Sequence, residues 1–119
     1  MRTIALDAPT PQTPYRFAAA VAFYPPCGKA DVYAPALILI GELDDWTPAA
    51  RCREMLRERG EKGASVRLVV YPGAYHAFNA RRLVGKPEWY FGHRLQYDAA
   101  ADAAALRETS EFLRATIGR

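Results

Sequence analysis

Two strand-length apolar runs that each break into a polar turn constrain this chain more than any other feature. PALILIG at 35–41 runs into GELDDWTP, and VRLVVY at 66–71 runs into PGAYHAF. A short apolar run without polar alternation suits a strand covered on both faces, as in a parallel sheet. FAAAVAFY at 17–24 is a third such run and stops at Pro25 and Pro26. Between the second and third runs, Thr47 is placed to cap a helix with Pro48 at its first position, and Ala49, Cys52, Met55 and Leu56 then share a face. That helix is expected to end near Gly60 or Gly63. After 71 a long irregular segment leads to a final helix over 99–117, with Ala103, Leu106, Ser110, Leu113 and Ile117 on its apolar face and Gly118 to end it. The order strand, strand, helix, strand, loop, helix specifies an α/β protein with about three mainly parallel strands and flanking helices. Residues 1–16, rich in Pro and Thr, read as a lead-in, and 17–119 as the folded part.

Composition removes several function classes. Half of the 119 residues are hydrophobic and 24% are charged, as in a globular chain and unlike a disordered one. No run reaches the roughly 18 apolar residues that cross a bilayer. The net charge of +3 is spread among acids: Arg51, Arg53, Arg57 and Arg59 alternate with Glu54, Glu58 and Glu61, which reads as a solvated helix face rather than a nucleic-acid footprint. Neither nucleic acid nor membrane is an expected partner. The N-terminus lacks a basic stretch followed by an apolar one, so a cytoplasmic location is the expectation. The run at 17–24 carries neither charge nor proline to protect an open sheet edge, so more sheet is expected beside it, from a missing N-terminal half or an oligomer partner.

The chemistry sits where the two strongest strands end. In an open parallel sheet, ligands bind beyond the carboxyl ends of the strands; if these two strands are neighbours, a carboxylate and an imidazole meet there across adjacent loops. ALILIGELDDWTP followed by VVYPGAYHAFN resembles the acid and histidine segments of dienelactone hydrolase-like α/β-hydrolases. Gly41, Asp44, Thr47 and Pro48 match G-x-x-D-x-x-[VT]-P, and Gly73, His76 and Phe78 match the histidine turn; the likeness extends from about Phe17 through WYFGHRLQYDAAAD to the final helix.

That resemblance implies the C-terminal part of an α/β-hydrolase fold, with Asp44 as triad acid, His76 as triad base, and a carboxylic ester or lactone as substrate. The acid precedes the histidine, as the fold requires. Asp44 is preferred to Glu42 and Asp45 by its place in the motif; Asp45 has the alternative reading of a carboxylate at a helix start. The nucleophile elbow, G-x-S-x-G or its Cys form, is absent from the sequence. Ser65 and Ser110 lie off any elbow, and Cys27, in PPCGK, lacks the flanking glycines. The chain alone is therefore expected to be inactive. A competing reading is a non-catalytic truncated domain that binds another chain through its open edge.

Trp46, Tyr75 and Phe78, with Trp89, are candidates to line a substrate pocket, and aromatic residues near strand ends are as often simply core. Where true dienelactone hydrolases carry a carboxylate-holding arginine this chain has Ala80; Arg81 or Arg82 is the candidate substitute, with a plain surface charge as the preferred reading. His93 reads as a surface or packing residue. Cys27 and Cys52 come close in this topology. A disulfide there implies an oxidising compartment and a periplasmic or secreted parent, whereas two buried small apolar residues is the preferred reading. No Cys or His spacing suits a metal, and no cofactor is expected.

Overall fold

The structure, a computed structural model, describes residues 18–28, 34–61 and 63–117. The lead-in at 1–16, Phe17 and Gly118 lie outside the described residues. Strands β1 (Ala20–Phe23), β2 (Ala36–Gly41) and β3 (Val66–Tyr71) form one sheet in the order β1-β2-β3, both pairs parallel. Helix α1 (Ala49–Arg59) connects β2 to β3, and α2 (Ala99–Thr116) closes the described chain. The expected α/β architecture with three parallel strands is present.

All six residues of β2 are buried. It is the middle strand, and each of its faces meets a different helix. Leu37 and Leu39 pack with Tyr71, Phe78, Ala101 and Ala105 on the α2 side. Ile38 and Ile40 pack with Ala49, Cys52 and Met55 on the α1 side. Strand alternation thus sends alternate residues to opposite helices, which is why the run shows no polar alternation. Burying a Leu or Ile side chain of this kind contributes roughly 1.5–3 kcal/mol.

The helices depart from expectation in informative ways. Pro48 is the cap of α1 rather than its first residue, and no side chain caps it. The Thr47 hydroxyl is engaged with Tyr24 and Asp44 instead. Arg59, read as one of a solvated row, is buried, and its Nη2 donates to the Ala64 carbonyl at 2.6 Å, closing the turn into β3. Cys27 and Cys52 are joined by a disulfide, which corrects the preferred reading of two unbonded cysteines.

The predicted face of α2 is the wrong one: Ala103 and Ser110 are exposed, as are Leu106 at 57% and Ile117 at 47%. Ala101 and Ala105 face the sheet, with Ala104 and Phe112 partly packed beside them. In an alanine-rich helix several faces are apolar, and close approach to β2 selects the small one. Asp102 sits on that face because the Tyr97 hydroxyl donates to it at 2.7 Å and Arg81 pairs with it at 3.4 Å.

The segment before α2, expected to be irregular, contains a hairpin of β4 (Glu88–Tyr90) and β5 (His93–Leu95). Its turn residues Phe91 and Gly92 both have positive φ, 51° and 81°, the geometry that matches strand twist across a two-residue loop. No helix among the described residues is long and apolar enough to cross a membrane.

Candidate active site

Two loops leave neighbouring strands at the same edge of the sheet and are stitched together before any side chain of the site is placed. The Glu42 amide donates to Tyr71 O at 2.9 Å and the Leu43 amide to Ala74 O at 2.8 Å, while the Gly73 amide donates to Glu42 Oε1 at 2.8 Å. Gly41 makes this approach possible. A Cβ there would meet the carbonyl of Ala74 and come within 3.0 Å of Tyr75 O, both backbone atoms that cannot swing aside.

Asp44, whose side chain is fully buried, is surrounded by donors. Its Oδ1 accepts from the amides of Trp46 at 2.9 Å and Thr47 at 2.8 Å. Its Oδ2 lies 2.8 Å from His76 Nδ1 and 3.0 Å from the Thr47 hydroxyl. A buried carboxylate is tolerable only with such partners. The bond to Nδ1 fixes the imidazole tautomer, with Nδ1 protonated and Nε2 turned to other uses. The Thr47 hydroxyl also lies 3.0 Å from Tyr24 O and 3.2 Å from His76 Nδ1. Its single proton has two acceptors, the Tyr24 carbonyl and Asp44, so this side chain ties the end of β1 to the Asp44–His76 pair.

His76 is held from behind as well. The Gln96 amide donates to the His76 carbonyl at 3.2 Å, and His76 forms a parallel bridge with Leu95. Its ring lies 4.5 Å from that of Tyr24 and 5.1 Å from that of Trp46. Tyr24 has a positive φ of 43°, uncommon outside glycine, and its hydroxyl donates to Asn79 Oδ1 at 2.8 Å. Burial, reinforced by the charge of Asp44, raises its phenol above the usual value, so it remains a neutral wall beside the imidazole.

Of the residues singled out in the sequence, Asp44, Trp46 and His76 come together. Tyr75 lies under the Arg94 guanidinium, 4.4 Å from its ring centroid. Phe78 is fully buried in the core cluster with Leu37 and Tyr71 and faces no ligand space. Arg81 turns to Asp102, Arg82 pairs with Glu88 at 2.8 Å, and Trp89 lies on the surface under Arg94. Cys27 has its sulfur in the disulfide; Ser65 precedes β3 at the opposite edge of the sheet, and Ser110 is on α2.

Sequence reading missed Tyr24 and the Thr47 hydroxyl. Tyr24 carried a signal in hindsight, an aromatic ending a strand just before two prolines. His93 proves to be stacked on Trp46, with ring centroids 5.0 Å apart and planes 9° apart, and its Nδ1 is 3.5 Å from Asp45 Oδ1. A cavity of about 300 Å³ opens beside Trp46 and Thr47 toward Pro26, Gly28 and Arg51. Among the described residues no group of three or more His, Cys, Asp or Glu is disposed to hold a metal ion.

The sequence model of the dienelactone hydrolase family matches residues 5–117. The chain belongs to that family. A candidate dienelactone hydrolase from Klebsiella pneumoniae subsp. pneumoniae, known from its crystal structure, superposes with a TM-score of 0.59 at 27% identity. The match covers 76% of the present chain and 39% of that protein, so the chain spans well under half the length of its structural relative. No curated protein matches it. The matched span includes both loops described above, from Gly41 to Pro48 and from Gly73 to Phe78.

Proposed function

We propose that this chain supplies the acid and the base of a hydrolase acting on carboxylic esters or lactones, Asp44 and His76, and that a Ser or Cys from a nucleophile-bearing segment completes the triad. The observation that carries the reading is the 2.8 Å bond from His76 Nδ1 to a fully buried Asp44, at the carboxyl ends of two parallel strands. Family membership supports hydrolysis in general. In the proposed reaction His76 Nε2 takes the proton of the nucleophile as its oxygen or sulfur bonds to the acyl carbon. Asp44 stabilises the imidazolium, which then returns the proton to the departing alcohol oxygen as the carbon–oxygen bond breaks. Water repeats the sequence on the acyl-enzyme and releases the acid.

The nucleophile-bearing segment is proposed to pair along β1, whose only described strand neighbour is β2. The disulfide supports an oxidising compartment for the folded protein. The test is hydrolysis of p-nitrophenyl acetate. The chain by itself is expected to show background rates. Joined in frame to a segment carrying G-x-[SC]-x-G, it is expected to turn over, and His76→Ala or Asp44→Asn to lower kcat by about 10³-fold or more. Turnover by the chain alone that Cys27→Ala abolishes would sink the reading, as would a fused enzyme indifferent to His76→Ala.

A further inference from the structure

We infer that Trp46 and the tip of the β4–β5 hairpin form a subsite for a planar aromatic group of the substrate. The inference rests on the hydrolase reading for its purpose but not for its geometry. Consecutive residues Asp44 and Asp45 each face a different histidine, and the Trp46 indole that follows is in contact with both imidazoles, 5.1 Å from His76 and 5.0 Å from His93. Tyr90 extends this row of rings at 5.7 Å from Trp46, and Phe91 continues it at 4.5 Å from Tyr90. The row therefore begins at the imidazole that would act on the ester and leads outward.

Its outer members are open: Trp46 is 37%, Tyr90 54% and Phe91 80% exposed. Contiguous exposed aromatic surface of this kind marks an interaction site more often than ordinary surface does. The hairpin is also fixed relative to the imidazole. The Leu95 bridge and the Gln96 amide tie it to the His76 backbone, and the face-on stack of His93 against the indole holds the tip in place. Ring faces and edges, rather than aliphatic methyls, line the surface, and they favour an offset or edge-on aromatic partner. The ligand class is accordingly an ester whose acyl or alcohol part is an aromatic ring.

Binding is read without turnover, by NMR of the isotope-labelled chain titrated with phenyl acetate and, separately, with cyclohexyl acetate, which has similar bulk and no π face. The expected result is saturable shifts at the Trp46 indole N–H and the His93 ring, with the phenyl ester binding at least threefold more tightly. Tyr90→Thr with Phe91→Asn keeps a strand former and a residue suited to positive φ, so the hairpin persists; this double variant should weaken the phenyl ester at least fivefold. Equal affinities, shifts centred elsewhere, or indifference to the double variant would overturn the subsite. The His76 Nδ1–H resonance, followed in the same spectra, reports the Asp44–His76 bond independently. Its absence would count against the hydrolase reading while leaving the aromatic preference to be judged by itself.

Discussion

The loop that carries Asp44 and the hairpin that flanks His76 both border the site, yet they are built on opposite principles. The Asp44 loop is largely exposed, yet its carboxylate is buried and saturated with hydrogen bonds: two backbone amides, a hydroxyl and an imidazole converge on it. The hairpin is anchored at its base by the Leu95 bridge and the Gln96 amide, but its tip is held by ring contacts at the surface, and every residue of β4 is exposed. A buried hydrogen-bonded network tolerates almost no substitution, because each partner removed leaves another unsatisfied. Exposed ring contacts tolerate many. The acid loop is thus suited to holding one geometry, and the hairpin to changing what is recognised.

Substitutions should expose that contrast, beginning with the most severe. Gly41→Ala forces a methyl into the Ala74 backbone and should cost about 4 kcal/mol in denaturant unfolding, with loss of the Asp44–His76 bond signal in the proton spectrum. Replacing both Cys27 and Cys52 by Ala removes a cross-link spanning a sequence separation of 25, and should cost about 3 kcal/mol with the fold retained. Thr47→Val keeps the shape but removes the hydroxyl shared by Tyr24 and Asp44. A loss of about 1 kcal/mol is expected, with a shifted His76 Nδ1–H resonance that Thr47→Ser restores. Least affected is the hairpin, where Tyr90→Thr with Phe91→Asn should change unfolding free energy by no more than about 0.5 kcal/mol. A hairpin variant as damaging as Gly41→Ala would erase the distinction.

The same contrast explains what could be read in advance. The strands at 36–41 and 66–71 and the acid and histidine after them were legible because apolar runs, glycines and turn residues report local constraints directly. The packing face of α2 was not, since Ala103 and Ala105 are chemically identical and only the distance to β2 distinguishes them. Thr47 was read as a helix cap because its type suits one; that its hydroxyl instead bridges Tyr24 and Asp44 depends on contacts with residues 23 and 3 positions away. Phe78 in the histidine turn suits either a pocket wall or the core, because its place in the sequence does not say which way the ring turns; it turns into the core. The hairpin escaped notice because its turn uses Phe91, a residue that rarely adopts positive φ.

The bond between Cys27 and Cys52 has a topological consequence. It makes the stretch between them, which includes all of β2 and Asp44, a closed covalent loop. A protease that cuts one peptide inside that loop severs the chain without releasing either piece. The nicked molecule would run at its full mass on a denaturing gel until a thiol is added, and only then split in two.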